Sequence, residues 1–373
     1  VDCLFMEIPK GAVGVLVNTE VDSCMFLNSG SNEGVAVTVG DNTRVSNSVF
    51  RDNVSREGGA VRLFGGTASI KGCLFENNSS ASNGGAIFLD GGPVVIENSL
   101  FIDNFAAETG GAVSILGARP GGGSRSTTNP SIINCTFYGN TANGVGDAMA
   151  ASGSEVRIVN SIFWNNCPDP IAIGDNIATY FVYNSIVEGG FAPLGNVSTI
   201  PPEAEGIIDA APQFVDAAGG DFMLSSSSPA IDAGLDHVPD PDVSPNPFSG
   251  IDTLIPDTDI DGVARPQPEE GRWDIGAYEF VLGETGPGME EPSNCPAEPE
   301  GEGEGEGEGE GELEGMPEGE GEGEGESEGM TEGEGEGAVE GEGEAEGSTE
   351  GEGEMEGMPE GAGEGEPEGA EEG

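Results

Sequence analysis

Apolar and polar positions alternate along residues 1–190 in a pattern that recurs at intervals of 24 to 26 residues, with one longer interval of 36. Phenylalanine marks each repeat, at Phe26, Phe50, Phe75, Phe101, Phe137 and Phe163. A β-branched residue stands five positions before each of them, at Val21, Val45, Ile70, Ile96, Ile132 and Ile158. The neighbouring residues are mostly polar, so the alternation predicts a short strand with one buried face.

A second short apolar segment follows a glycine pair in three repeats, at Gly58-Gly59, Gly84-Gly85 and Gly110-Gly111. We expect these glycines to adopt backbone angles that other residues resist. The repeats show no convincing helical period. Two or three short strands in about 25 residues predict one coil of a parallel β-helix, and the repeats predict about eight coils in all.

An asparagine follows three residues after five of the phenylalanines, at Asn53, Asn78, Asn104, Asn140 and Asn166. Equivalent positions in successive coils lie one strand spacing apart, about 4.8 Å. We therefore expect an inward ladder in which each side-chain amide bonds to the next. The alternative is that these asparagines are surface turn residues. A second asparagine column, at Asn47, Asn98, Asn134, Asn160 and Asn184, lies three residues before Phe or its equivalent and is interrupted by Gly72.

The repeated Phe-x-x-Asn and Gly-Gly-Ala-Ile/Val sequences resemble the repeats of polymorphic outer membrane proteins and related right-handed parallel β-helix proteins. The resemblance covers about residues 20–190. It implies a right-handed, single-stranded parallel β-helix with a pectate-lyase-like solenoid fold, and it implies little about activity.

The following segment resembles the choice-of-anchor Q domain of bacterial surface proteins. The resemblance rests on Asp209–Asp216, Ser228–Gly234, Asp259–Gly262 with Arg265, and Asp274–Glu279. It implies an exported or surface-displayed bacterial protein without a defined enzymatic activity. We therefore predict three parts: a β-helix at residues 1–190, a small Asp-rich capping module at 191–283 that closes the end of the solenoid, and a tail at 284–373.

Charge separates the tail from the rest of the chain. Thirty-five of the 70 acidic residues follow Gly283, and none of the 11 Lys and Arg residues does. Alternating Gly and Glu oppose both helix and collapse, so we expect a disordered spacer that holds the solenoid away from a surface. A weak cation-binding role is the alternative. The acidic body argues against a nucleic-acid partner.

Cysteine usage gives a limited view of the compartment. Cys3, Cys24, Cys73 and Cys135 stand two residues before a Phe, where other repeats have Ser, so we expect small residues of one column rather than a disulfide framework. Cys3 and Cys24 are close enough for a bridge in principle, while Cys167 and Cys295 have no evident partners. The chain begins inside a coil without a signal peptide, so we expect a longer precursor, and no segment predicts a transmembrane span.

Three acidic residues form a candidate calcium site. Asp257, Asp259 and Asp261 precede Gly262 at alternate positions, as in the first half of an EF-hand loop. Position twelve of that pattern is Pro268 rather than Glu, so Asp252 or Glu269 would have to complete the shell. A solvated acidic turn is the alternative.

Two aromatic residues form a candidate carbohydrate site. The position after each Phe carries mixed chemistry, which indicates an outward column of Leu27, Arg51, Glu76, Ile102, Tyr138 and Trp164. Tyr138 and Trp164 on neighbouring coils would form an exposed strip that stacks on sugar rings. The alternative is a pair packed under a loop or against residues 191–225.

Catalysis is the competing hypothesis, because parallel β-helices are common in polysaccharide lyases and glycoside hydrolases. No Gly-His-Gly motif or paired inward Asp is present, and the single histidine, His237, lies in a Pro- and Asp-rich loop. We therefore assign no catalytic residue. The sequence favours a secreted or cell-surface protein with a structural or adhesive role, possible polysaccharide or cell-envelope partners, and no certain cofactor apart from possible calcium. Self-association in a surface layer is a third hypothesis.

Overall fold

The computed structural model describes residues 3–7, 13–30, 36–117, 129–173, 179–190, 206–239, 255–266 and 271–281. All of these residues lie in one compact unit. The predicted tail at residues 284–373 lies outside the described residues, as do Asp252, Pro268, Glu269 and Cys295.

Four parallel sheets run along the solenoid, and each coil contributes a strand to most of them. Sheet 1 contains the strands that precede Phe: Glu20–Asp22, Thr43–Ser46, Ala68–Lys71, Val94–Glu97, Ser131–Ile133, Glu155–Val159 and Thr179–Tyr183. Sheet 2 contains the Phe strands: Cys3–Met6, Cys24–Leu27, Val49–Arg51, Leu74–Glu76, Leu100–Ile102, Thr136–Tyr138, Ile162–Trp164 and Ile186–Val187.

The two other sheets close each coil. Sheet 3 is short and contains Val54–Ser55, Ser79–Ser80, Phe105–Ala106 and Thr141–Ala142. Sheet 4 contains the strands that follow the glycine pairs and their equivalents: Val13–Leu16, Val37–Val39, Val61–Phe64, Ile87–Asp90, Val113–Leu116, Met149–Ser152 and Ile171–Ile173.

The coil count is slightly lower than predicted. Six turns contribute a strand to each of sheets 1, 2 and 4, and a partial coil flanks them at each end. The sequence estimate of about eight coils included both partial coils, because the residues near Phe5 and Val182 keep part of the repeat.

Stacked columns fill the interior, as the repeat spacing predicts. The rings from Phe5 to Phe163 are stacked, with centroids of neighbouring rings 4.5–4.9 Å apart. The planes of neighbouring rings are nearly parallel, with angles of 3–5° between them. The β-branched residues of sheet 1, from Val45 to Val182, form a second column that is fully buried. Since each side chain packs on its equivalents above and below, one short residue pattern builds a continuous apolar core.

The five ladder asparagines are fully buried at the bend between sheets 2 and 3. In Asn78, for example, Nδ2 donates to Oδ1 of Asn104 at 3.0 Å and to the backbone oxygen of Phe50 at 2.9 Å. The backbone N–H of Asn78 donates to the same Oδ1 of Asn104 at 3.0 Å. The pattern repeats from Asn53 to Asn166, so these side chains satisfy backbone groups that the bend removes from the sheets.

The two glycines of each pair meet different requirements. Gly84 has a φ of +66°, as the sequence interpretation expected. Gly85 does not have a positive φ, but a Cβ on it would lie 2.0 Å from the backbone oxygen of Gly111 in the next coil. The second glycine is therefore required because neighbouring coils approach closely, which the sequence interpretation did not anticipate.

Residues after the solenoid pack along its side. Phe214–Asp216 and Asp221–Leu224 form an antiparallel hairpin joined by the short 3₁₀ helix Ala217–Gly219. The hairpin and the segments around Ile275 and Leu235 cover the outer faces of sheets 2 and 1. A parallel bridge between Ile186 and Ile208 places one more residue beside the last strand of sheet 2. The described part of the predicted capping module thus contacts lateral faces as well as the final coil.

Candidate functional site

The outward column of sheet 2 has the register that the sequence predicts. Arg51 pairs with Glu76, Glu76 with Ile102, Ile102 with Tyr138, and Tyr138 with Trp164. Inward phenylalanines alternate with this column, so its side chains face the outside of the solenoid. The described C-terminal segments then determine which of these side chains reach solvent.

Tyr138 and Trp164 do not form an exposed strip. Trp164 is only 6% exposed and belongs to an apolar cluster with Phe214 and Phe222. Tyr138 is half-buried, and its ring makes edge contacts with Phe222 at 5.2 Å and Phe214 at 6.1 Å between centroids. The predicted exposed strip is therefore wrong, because the hairpin covers Trp164 and packs against Tyr138, as in the alternative of a pair packed against residues 191–225.

An open cleft of about 450 Å³ lies beside this cluster. The outer face of sheet 2 forms its floor, with Arg51, Glu76 and Tyr138, and Asp103 follows the floor strand directly. The turn Ala217–Gly220 and the ring of Tyr278 form the opposite wall. The cleft thus combines two tyrosines with three charged side chains at one surface.

Hydrogen bonds fix part of this lining. The guanidinium of Arg51 donates through Nε to Glu76 Oε2 at 2.6 Å. Asn165 donates through Nδ2 to the hydroxyl oxygen of Tyr138 at 2.7 Å, which holds the ring in place. Each contact joins two neighbouring coils, one pair on either side of the Ile102 strand, so the solenoid preorganises the floor of the cleft.

Asp103 has no such partner among the described residues. It is exposed, yet the cleft removes part of its hydration and Glu76 adds negative charge, and both effects raise the pKa of its carboxyl. Burial raises the pKa of the Tyr278 hydroxyl, with further contributions from Asp261, Asp221 and Asp259. Acidic side chains therefore lie near both the floor of the cleft and Tyr278 on its opposite wall.

The candidate calcium residues do not converge. Asp259 is buried, whereas Asp257 and Asp261 are exposed. Oδ1 of Asp259 accepts hydrogen bonds from the backbone N–H groups of Asp261 and Val263 at 2.9 and 2.8 Å. Its Oδ2 accepts one from the N–H of Glu279 at 3.0 Å. Among the residues that the structure describes, no group of three or more His, Cys, Asp or Glu side chains is arranged to hold a metal ion.

The resembled motifs of the C-terminal segment instead build a buried charged network. Arg265 and Glu279 form an ion pair at 2.9 Å, and both side chains are fully buried. Arg265 also donates to the backbone oxygens of Asp274 and Gly276. Asp274 accepts from the N–H groups of Asp232 and Phe280, and burial raises its pKa to about 6. These acidic residues therefore stabilise loops, which accounts for their positions without a catalytic role.

The second asparagine column holds this network against the solenoid. Its members have φ between +40° and +49°, and Gly72, which replaces Asn in one coil, has φ +61°. Asn47 donates to Oδ1 of Asp22 on the preceding coil, whereas the other four side chains donate to backbone oxygens of the C-terminal segments. Asn98 contacts Thr258, Asn134 contacts Asp274, Asn160 contacts Leu235, and Asn184 contacts Ala233. Asparagine therefore has two roles here: it tolerates the positive φ of the turn, and its side-chain amide docks the C-terminal segments on the solenoid.

Other candidate features lie away from the cleft. Arg62 pairs with Glu57, Arg44 with Glu20, and Lys71 with Glu97. His237 is exposed and contacts Asp236. A polar depression of about 360 Å³, lined by residues such as Asn18, Thr43 and Ser69, has no aromatic wall. None of these features brings together the mixture of groups found in the cleft.

The cysteines require a correction. Cys3 and Cys24 form a disulfide across the first two strands of sheet 2, and Cys167 is also disulfide-bonded. Cys73 and Cys135 are free and buried within the core column, as expected for small residues there. The expectation that Cys167 lacks a partner is therefore wrong. Sequence spacing did not reveal its bond because Cys167 stands outside the repeated column.

Comparison with known proteins supports the fold. Residues 13–188 match the family model described as a right handed beta helix region. No curated protein matches the chain. Together with the stacked parallel sheets, the match supports a right-handed parallel β-helix over these residues. Within the described residues, no helix is long and apolar enough to span a bilayer.

Proposed function

We propose that this β-helix repeat protein is displayed on a bacterial cell surface and binds a polysaccharide segment in the cleft over sheet 2. The lining of the cleft is the observation that carries the proposal. Tyrosine rings offer flat apolar surfaces to sugar rings, and adjacent charged groups bind hydroxyls and fix orientation. The proposal keeps Tyr138 from the sequence hypothesis and replaces the buried Trp164 with Tyr278.

Surface display is supported by three features of the chain. The repeats resemble those of polymorphic outer membrane proteins, and the Ser228–Gly234 and Asp274–Glu279 motifs resemble a choice-of-anchor Q domain. Disulfides at Cys24 and Cys167 suit an oxidising compartment. The Gly-Glu sequence after Gly283 suits a spacer between an anchored end and the solenoid.

A glycan array probed with the full chain tests the binding proposal. Tyr278→Ala removes a wall of the cleft, and Phe105→Ala removes an exposed ring from sheet 3 outside it. We expect a bound glycan to be lost with Tyr278→Ala and retained with Phe105→Ala. Loss of a stacking ring corresponds to a reduction in affinity of about 5- to 10-fold. Absence of binding by the unaltered chain, or equal effects of the two variants, would contradict the proposal.

A glycoside hydrolase is the second candidate, and one observation favours it. Glu76 and Asp103 lie on adjacent coils of the same cleft in different environments: Arg51 holds Glu76, whereas Asp103 has a raised pKa and no described partner. Two carboxyl groups with distinct environments are the basis of acid–base catalysis in glycosidases. Release of reducing ends from a bound glycan, abolished in both Glu76→Gln and Asp103→Asn, would establish this activity. Intact glycan after prolonged incubation would exclude it for that glycan.

A further inference from the structure

The cleft carries an excess of negative charge. Arg51 is its one basic side chain among the described lining residues, and that guanidinium is already bonded to Glu76. Asp103 has no compensating cation among the described residues. Asp221 and Asp261 lie near enough to Tyr278 to oppose ionisation of its hydroxyl. A ligand with a positive charge would therefore gain more from this cleft than a neutral ligand of the same shape.

The aromatic lining has the same preference. Tyr138 and Tyr278 are half-buried and line the cleft together with the carboxyl of Asp103. The face of an aromatic ring attracts an ammonium group, and the attraction grows where water is partly excluded. Rings and carboxylate thus attract the same kind of cation, while the rings also suit the apolar face of a sugar.

We propose that the cleft selects oligosaccharides containing an amino sugar, whose ammonium group pairs with Asp103 while a sugar ring lies against Tyr278. The inference rests on the proposed function, because it names the class of glycan bound at that site. Uronic acid chains would be repelled by Asp103 and would compete with Glu76 for Arg51. The selected glycan is therefore basic rather than acidic.

The acidic tail requires a matched control. It carries 35 acidic residues, so a cationic oligosaccharide will also associate with it without any specific site. Asp103→Asn removes one charge from the cleft. Asp52→Asn removes one from the equivalent turn two coils earlier, where the residue is also exposed and has a similar φ, +57° against +52°. Asp52 does not line the cleft, so the two variants remove the same charge inside and outside it.

Isothermal titration of the full chain with three trisaccharides tests the inference. The three share one linkage and contain glucosamine, N-acetylglucosamine or glucose, and the titration uses mildly acidic buffer at physiological ionic strength. A single partly exposed charge pair corresponds to about 5-fold in affinity, so we expect the glucosamine trisaccharide to bind about 5-fold more tightly than either neutral one. Asp103→Asn should abolish the difference, and Asp52→Asn should retain it.

The outcomes separate the two proposals. Equal affinity for all three trisaccharides, lost in Tyr278→Ala, would overturn the amino-sugar inference and still support glycan binding in the cleft. Binding of none of the three, here and on the array, would overturn both. A preference for glucosamine that is unchanged in Asp103→Asn, or reduced equally in Asp52→Asn, would mean general attraction to the acidic chain and would also overturn the inference.

Discussion

Replacement of Asn104 by alanine tests how much the buried amide ladder stabilises the solenoid. The Asn104 side chain takes part in four hydrogen bonds. Its Nδ2 donates to Asn140 Oδ1 at 2.9 Å and to the backbone oxygen of Phe75 at 3.0 Å. Its Oδ1 accepts from both the side-chain and the backbone nitrogen of Asn78 at 3.0 Å. All four bonds are lost when the side chain ends at Cβ.

The cost follows from the groups left without partners. Asn78 retains the bond from its Nδ2 to Phe50, but its buried backbone N–H loses its acceptor. Each buried polar group left unsatisfied costs about 1–3 kcal/mol, so we expect Asn104→Ala to lower the free energy of unfolding by about 3–5 kcal/mol. Asn77→Ala is the control, since Asn77 is exposed with φ +53° and its replacement should cost only about 1 kcal/mol.

A charge-forming replacement adds a pH dependence with a definite sign. In Asn104→Asp, the introduced carboxylate faces two acceptors, Asn140 Oδ1 and the Phe75 oxygen. Burial and these acceptors raise its folded pKa above the ordinary value of about 3.9, so its protonated form is favoured in the folded state. The deficit relative to the unaltered chain should therefore shrink as pH falls from about 7 to about 4.

Chemical denaturation with hydrogen exchange measured at Asn78 provides the assay. The exchange measurement reports opening of one coil, which is needed because repeat proteins can unfold in parts. Asn77→Asp adds the same charge at an exposed site of the preceding coil. A cost below about 1 kcal/mol for Asn104→Ala, or the same pH dependence in both aspartate variants, would refute the ladder as a major source of stability.

Two further predictions concern the glycine column and the buried carboxyl of Asp274. Gly85→Ala should lower the free energy of unfolding by at least about 3 kcal/mol, because its Cβ would meet the Gly111 carbonyl; Gly65→Ala, with open space around it, should cost about 1 kcal/mol. Equal thermal shifts in the two variants would contradict the steric argument. For Asp274, a folded pKa of about 6 against an ordinary 3.8 means that the folded state binds the proton more tightly, so stability should rise by up to about 3 kcal/mol as pH falls from above 6 towards 4. Slower exchange of the Phe280 amide at the lower pH, after correction for the intrinsic exchange rate, would bear this out, and faster exchange would contradict it.

The repeat made most of the solenoid predictable from the sequence. A contact between equivalent residues is encoded again in every coil. The burial of Phe50, Ile70 and Asn78 can therefore be inferred from the same residue types at the equivalent positions of other coils. The inward ladder, the core columns and the outward register could be inferred for this reason. The predicted coil count was slightly too high because the end coils keep only part of the pattern.

The cleft could not be predicted in the same way. Tyr278 reaches the cleft only after the chain has returned along the side of the solenoid, where the neighbouring Ala277 donates to Thr136 on the strand of Tyr138, and this contact occurs once. A single contact between distant residues leaves no period to detect. The packing of Trp164 against Phe214 and Phe222 also occurs once, so the repeat pattern does not distinguish it from an exposed Trp164.

The docking asparagines divide the solenoid into two regions with different tolerance to change in length. Asn98, Asn134, Asn160 and Asn184 set a fixed spacing that the C-terminal loops must match, so a coil inserted among them would break several bonds at once. The coils before Asn98 make no described hydrogen bond of this kind. Duplication of a coil before Thr43, upstream of the strands that carry Arg51 and Glu76, would lengthen the protein by about 4.8 Å while the cleft and the lateral contacts stay intact. The length of the solenoid can therefore change in its N-terminal coils without altering the cleft, whose geometry depends on the later coils and the segments docked on them.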